Sequence, residues 1–407
     1  MFKLFIYFIF MIFIFILPVD ISRLFGDSFS SIQTNIKALL TVAIITLFTI
    51  FIFENLKIKK YYLLPWHNII FLFPFFYILL AFASISWTYN IDSTMKSWLL
   101  LLSMVMLAEL IVSKIKLDSF ITLSLYVLDI IIVLSLLLDI LGVNFTKMYF
   151  VHDVVRYAGI TYGAHAIAQV ALIALIFRMY FIIKKQNKID LFNILMLFFY
   201  LYSIYLSDSR QVQVAIIVMS LIGLHLFLKS KFSNLIVLYV PLIVVFLMVI
   251  FFININIVES MQRTGSEDVY TFTGRTYIWS ASIDLIKERY FMGYGFGAGG
   301  DALYDYYGTL SLWTTYSAHN LYIQQLLDLG VIGLSFVLTM IIYYIYISIK
   351  LKESLFLFYI LMILVIGMME RSLSGAPGLL YFFFIIFFFY MKKIVFYKNH
   401  FIKGVKY

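Results

Sequence analysis

Gly293-Tyr294-Gly295-Phe296-Gly297-Ala298-Gly299-Gly300 contains a formal Gly-x-Gly-x-x-Gly pattern. In a soluble chain such a pattern is tested as the phosphate turn of a nucleotide-binding α/β fold, which requires a preceding strand within a βαβ unit. No strand pattern leads into it here. Upstream, Trp279, Ile283, Ile286 and Tyr290 recur at helical spacing, which predicts a short amphipathic helix lying on the membrane surface or capping a bundle. Downstream, His319-Asn320 opens a long apolar run. The stretch Asn254–Ala318 is the one long segment too polar for a bilayer, and on both sides the chain reads as apolar helix. The glycines are therefore read as an irregular turn, where glycine supplies backbone angles that other residues avoid.

Composition supports a membrane setting. Of 407 residues, 64% are hydrophobic and only 13% charged, more apolar surface than a soluble chain of this length can hide. There is no cysteine, which excludes disulfides, thiolate chemistry and Cys-based metal sites. The net charge of +9 comes with lysines placed as the positive-inside rule places them, so nucleic acid is not an expected partner. The segment Met1–Leu17 lacks a small-residue cleavage site before Pro18-Val19-Asp20-Ile21 and is read as a retained first span.

A template of ~20 apolar residues predicts about twelve spans: Phe2–Val19, Ile36–Phe53, Ile69–Ser86, Ser97–Val112, Ser119–Leu141, Ala164–Ile183, Leu191–Leu206, Gln211–Leu228, Ser233–Phe252, Asn320–Ile349, Ser354–Glu370 and Gly378–Met391. Alternate connections carry Lys57, Lys59 and Lys60, then Lys114 and Lys116, Lys184, Lys185 and Lys188, Lys229 and Lys231, and Lys350 and Lys352. With Lys3 and the tail lysines 392, 393, 398, 403 and 406, these fall on one side if both termini are cytoplasmic. The expected organisation is all-α and polytopic. Residues 1–253 form the first nine spans, 254–318 a large periplasmic loop, 319–391 the last three spans and 392–407 a basic cytoplasmic tail. A loop outside the cytoplasm is also the wrong place for a nicotinamide cofactor, and no cofactor is expected.

The candidate chemistry clusters on the loop side. His319, followed by Asn320, Gln324 and Asp328 at steps of four with Gln325 beside them, heads a polar stripe on an apolar helix. Polar groups at that depth need partners or a water-filled cavity. A histidine there either takes a proton from a hydroxyl nucleophile or anchors and caps the helix. Arg210, in Ser207-Asp208-Ser209-Arg210, runs against the cytoplasmic bias of the basic residues; it pairs with Asp208 or faces an anionic ligand. Arg275 poses the same choice, with Arg263, Arg156 and Arg371 as weaker candidates. A guanidinium grips phosphate oxygens with two parallel hydrogen bonds. Asp129 and Asp139, ten residues apart, lie on different helical faces and read as structural. No metal-ligand spacing is present, so a metal-independent mechanism is expected.

The motifs taken together resemble a known family. Ser207-x-Ser209-Arg210 before a span, Thr273-Gly274-Arg275-x-x-x-Trp279, Gly293-x-Gly295-x-Gly297, His319-Asn320 and Leu329-Gly330-x-x-Gly333 follow one another as in the bacterial O-antigen ligase and polymerase superfamily. The resemblance covers Ser207 to Phe336 in motif and the rest in topology. It implies a GT-C-like, metal-independent, inverting glycosyltransferase of the bacterial inner membrane. Such an enzyme takes a glycan from undecaprenyl diphosphate and passes it to a sugar hydroxyl at the periplasmic face. It also implies that His319 is the general base and that Arg210 and Arg275 hold the diphosphate. Arg263, Asp208, Trp279, Asn320 and Gln324 are the candidate substrate contacts. A polymerase of lipid-linked repeat units is favoured over a ligase acting on lipid A-core. A flippase or transporter of the same lipid-linked glycan, and a structural subunit, are the readings from other classes. The expected partners are the lipid-linked donor, the glycan acceptor and the bilayer, with a chain-length regulator and a flippase as further candidates.

Overall fold

The computed structural model describes residues 2–25, 30–57, 72–149, 155–185, 190–231, 275–310, 315–371, 373–374 and 377–402. In chain order the helices are α1 (Phe2–Ile16), α2 (Ile21–Phe25), α3 (Ser30–Lys57), α4 (Phe73–Ala83), α5 (Ile91–Lys114) and α6 (Leu117–Ile140). Two short strands follow, β1 (Lys147–Tyr149) and β2 (Val155–Tyr157), then α7 (Ala164–Lys185), α8 (Leu191–Ser207) and α9 (Arg210–Lys231). Beyond these come α10 (Arg275–Glu288), α11 (Gly299–Leu310), α12 (Leu321–Leu351), α13 (Ser354–Gly367) and α14 (Leu379–Ile402). Each expected span within the described residues is a helix; Ser233–Phe252 and Arg263 lie outside them. Among the described residues, five helices are long and apolar enough to cross a membrane, and further apolar helices are shorter. This is a mostly helical, multi-pass membrane protein.

Two features depart from the expected outline. Strands β1 and β2 pair antiparallel, with Met148 opposite Arg156, in a hairpin too short to leave a periodic signal. The C-terminal helix continues past Met391 to Ile402, so Lys392 and Lys393 are not in a loose tail. Lys392 Nζ lies 3.9 Å from Glu109 Oε2, and Lys393 donates to the Val112 carbonyl.

As far as Met391, helix α14 is apolar on every side, as befits a helix enclosed by others. Its residues from Leu379 to Met391 are all buried. Phe383 packs on Phe177 of α7 at 5.2 Å, and Phe387 on Tyr359 of α13 at 4.9 Å, both edge to face. Phe382 reaches Phe13 of α1 at 5.0 Å. These rings make α14 the post around which the bundle closes.

A second internal tie is ionic. Arg178 on α7 meets Asp129 on α6 at 2.5 Å, and Tyr200 on α8 donates to the same carboxylate. The structural role expected for Asp129 is thus a cross-helix clamp, while Asp139 accepts from the Thr146 hydroxyl at 2.8 Å.

The outer segment, α10 and α11 with the glycine loop between them, is attached to the bundle through a break in α12. Gly330 has φ 63° and ψ −162°, which interrupts the helix. An α-helix pairs each carbonyl with the amide four residues on, so the break frees the Leu327 and Asp328 carbonyls and the Val331 and Ile332 amides. The glycine loop takes all four. Tyr294 N donates to Leu327 O at 2.7 Å and Gly295 N to Asp328 O at 2.8 Å. Val331 N and Ile332 N donate to Tyr290 O and Phe291 O at 2.9 and 3.4 Å. A Cβ on Gly330 would meet Phe291 C and O at 2.3 Å, and one on Gly293 would meet Leu327 O at 2.6 Å. The other flank of the loop is held by the α4–α5 corner, where Tyr89 N donates to Tyr294 O at 2.7 Å and Ser84 Oγ accepts from Phe296 N at 3.0 Å.

Replacing Gly330 by Ala forces a side chain into left-handed backbone and against Phe291. It is expected to cost ~2 kcal/mol or more, read as a lowered melting temperature in detergent. Gly378→Ala, with nothing within 4 Å of the added methyl, is the control expected to leave stability unchanged. Asp129→Asn leaves a buried arginine without its counter-charge and is expected to cost ~3–5 kcal/mol, recovered when Arg178→Met is added.

Candidate active site

His319 sits where the outer segment enters α12, and its backbone is held by groups from several elements. It adopts φ 48°, a left-handed conformation that a non-glycine residue keeps only when its surroundings fix it. Ser317 Oγ accepts from His319 N at 3.1 Å. The preceding Ala318 is fully buried: its carbonyl accepts from Trp279 Nε1 at 2.9 Å and its amide donates to Gln324 Oε1 at 2.9 Å. Asn320 caps α12, accepting from Tyr322 N and Ile323 N, and donates to Met368 O at 3.1 Å. Gln324 Nε2 then donates to Asp328 Oδ1 at 3.1 Å, and that oxygen also accepts from Gly299 N at 3.2 Å. The polar stripe has protein partners: Trp279, Asn320, Gln324 and Asp328 fix the backbone that carries His319. Gln325 donates to Tyr77 OH at 2.7 Å.

The imidazole faces Glu370. His319 Nδ1 lies 3.4 Å from Glu370 Oε1, an ion-pair separation rather than a well-formed hydrogen bond, and the two side chains are 33% and 17% exposed. The span expected to run to Glu370 stops at Gly367, so the carboxylate lies in the turn beyond α13. Burial pushes the Glu370 carboxyl up. The contact with His319, and the charges of His319, His165 and Arg275, outweigh that and hold it down at about 2.

His165, in the first turn of α7, joins the same group. Its Nδ1 lies 3.0 Å from Ser209 Oγ, and Arg156, Glu370, Arg275 and His319 are its electrostatic neighbours. Arg156 on β2 is buried and donates to the Ser207 and Asp208 carbonyls at 3.1 and 3.0 Å. This staples the hairpin to the α8–α9 corner, where Asp208 has φ 47° and Arg210 opens α9. Arg275 opens α10. The site thus gathers His319, Glu370, His165, Ser209, Arg156 and Arg275 at the end of the bundle that carries the outer segment, with Arg210 one residue from Ser209. Among the described residues, no group of three His, Asp or Glu side chains is placed to hold a metal ion.

Sequence reasoning did not single out His165 or Glu370. Both stand at the ends of apolar runs, where isolated polar residues are ordinary. The available signal was their side: His165 opens a span and Glu370 follows one at the end of the bundle where His319 begins one.

Residues 195–338 match a family model described as O-antigen ligase. Over that stretch the chain is similar to the O-antigen ligase and polymerase superfamily. No curated protein matches it. The matched residues run from α8 to the first half of α12 and include the Ser207–Arg210 corner, Arg275, Trp279 and His319. Arg156, His165 and Glu370 lie outside the match. The match supports a glycosyltransferase-like membrane enzyme.

Glu370→Gln keeps the size of the side chain and removes the charge. Because the folded carboxyl is held below its ordinary value, its contribution to stability is present above about pH 4.5 and lost as pH falls toward about 2. Wild type is therefore expected to be more stable than Glu370→Gln at neutral pH, with the two melting curves converging through that acid window. A difference independent of pH would break the proposed ion pair.

Proposed function

We propose that this protein polymerises undecaprenyl-diphosphate-linked oligosaccharide repeat units into an O-antigen or related surface polysaccharide at the periplasmic face of the bacterial inner membrane. The reading rests on one arrangement: His319 and Glu370 meet at 3.4 Å within the field of Arg275.

In this reading His319 takes the proton of an acceptor sugar hydroxyl as that oxygen attacks the anomeric carbon of the donor. The anomeric C–O bond breaks with its electron pair going to the diphosphate, so the anomeric configuration inverts in a single displacement. Nδ1 faces Glu370, which assigns Nε2 to the acceptor hydroxyl. Glu370 orients the ring and stabilises the imidazolium formed on proton transfer, the role an acid plays behind a catalytic histidine. Arg275 and Arg210 receive the diphosphate, whose charge grows as it leaves. Asp208 shapes the corner that presents Arg210, and Arg263 is a further candidate for the diphosphate. Trp279, Asn320 and Gln324 hold His319 in place. No metal is used.

The description of the matched family favours a second reading, transfer of a finished glycan to lipid A-core. Purified protein supplied with undecaprenyl-diphosphate repeat units alone separates the readings. A ladder of lengthening products supports the polymerase. Product only after lipid A-core is added supports the ligase. Translocation in vesicles without any transfer supports a flippase and overturns the enzymatic reading.

Within that assay His319→Ala is expected to lower turnover by ~10²-fold or more with insertion and folding intact. Arg210→Lys and Arg275→Lys keep the charge and lose the planar fork, and each is expected to lose ~10-fold or more. Transfer is expected to persist in a chelator.

A further inference from the structure

Close to the proposed base, the outer surface carries an aromatic cluster that the transfer step does not use. Tyr304 on α11 and Tyr316 stack nearly parallel, with ring centroids 4.1 Å apart and planes 12° from one another. Tyr316 remains 53% exposed and Tyr89 47% exposed. Two carboxylates border these rings. Asp301 and Asp305 are the acidic neighbours of both Tyr316 and Tyr89, and Tyr89 OH donates to Asp305 Oδ2 at 2.6 Å. Asp301 Oδ2 is buried and has no hydrogen-bond partner among the described residues. A buried carboxylate oxygen without a donor is costly and rare in native proteins.

The cluster is tied directly to the site. Tyr316 precedes His319 by three residues, so the two lie within ~11 Å even if the chain between them is fully extended. The Tyr316 carbonyl accepts from Arg371 Nη1 at 3.1 Å, and Arg371 adjoins Glu370. Any movement of the tyrosine pair is therefore felt on both sides of the His319–Glu370 contact.

We infer that Tyr304, Tyr316 and Tyr89 with Asp301 and Asp305 form a subsite for a pyranose ring of the acceptor glycan; this rests on the transferase reading. A pyranose presents C–H bonds on its faces and hydroxyls around its edge. The C–H face lies on a tyrosine ring, whose π face is electronegative. The edge hydroxyls are donors that meet the two carboxylates. The charge pattern assigns the subsite to the acceptor rather than the donor. Cations gather at Arg156, Arg275 and Arg210, where a diphosphate is wanted; Asp301 and Asp305 border the tyrosines and repel one, and Arg371 at that edge is engaged with the Tyr316 carbonyl.

The test measures acceptor affinity separately from chemistry. A soluble, delipidated repeat-unit oligosaccharide is titrated into the detergent-solubilised full chain and followed by saturation-transfer NMR; the lipid-linked repeat unit is used for kinetics. His319→Ala loses one contact to a single acceptor hydroxyl and is expected to weaken oligosaccharide binding far less than Tyr316→Leu does, while transfer is lost. Tyr316→Leu keeps an apolar side chain for the membrane interface and removes the ring. It is expected to weaken binding and raise the acceptor KM about five- to tenfold, with kcat and donor affinity changed far less. Tyr316→Phe restores most of that loss, and Asp301→Asn weakens acceptor binding without the ring being touched.

Unchanged binding and acceptor KM in both Tyr316→Leu and Asp301→Asn would overturn the subsite and leave the tyrosines as interface anchors. So would a wild-type chain that binds no oligosaccharide. Binding lost in Tyr316→Leu in a protein that performs no transfer upholds the glycan site and removes the transferase reading instead.

Discussion

The break in α12 at Gly330 is the constraint on which the rest of the outer end depends. In a bilayer, a backbone amide or carbonyl without a partner costs several kcal/mol, so a helix does not open without replacements at hand. Here the replacements are supplied by residues 290–295, and the exchange is reciprocal. The helix completes its hydrogen bonding only when the glycine loop is docked, and the loop acquires a defined path only against the broken helix. The small core of the outer segment, built from Ala281, Leu285, Ile286, Tyr294, Leu303 and Leu327, closes around that joint. His319, Trp279 and the stacked tyrosines all hang from it.

Electrostatics divide the outer end into two regions. Around Glu370 and His165 the neighbours are arginines and imidazoles, which hold a mostly buried carboxylate ionised and suit an anionic leaving group. Around Tyr316 and Tyr89 they are aspartates beside aromatic faces. The boundary between the regions is His319, held there in a left-handed backbone conformation.

The helices were legible because bilayer thickness sets a length that apolar runs either meet or do not. His319, Arg210 and Arg275 were legible because each breaks the local pattern of charge and polarity. What escaped was of two kinds. His165 and Glu370 escaped because a polar residue at the end of a span is unremarkable until folding brings two such ends together. The polar residues following His319 were legible as a stripe but not in their use: Asn320 and Gln324 satisfy backbone groups, which depends on which chain lies opposite. The amphipathic helix shows the same limit. Large residues set its expected face, yet α10 buries Ala281, Ser282, Leu285 and Ile286, while Ile283 is 47% and Tyr290 50% exposed. Small side chains allow the close approach, and spacing of bulky ones does not reveal it.

The burial of α14 carries a consequence for how the molecule is made. The post that Phe13, Phe177 and Tyr359 pack against lies after all of them in the chain. During synthesis the earlier helices enter the bilayer facing a gap that only α14 can fill. Until it arrives, their aromatic faces are solvated by lipid, and the bundle is an open ring rather than a closed one. Assembly is therefore keyed to the arrival of α14. A ribosome that stalls before Leu379 leaves inserted helices without a centre, a state that quality control in the membrane can distinguish from the finished enzyme by its exposed inner faces.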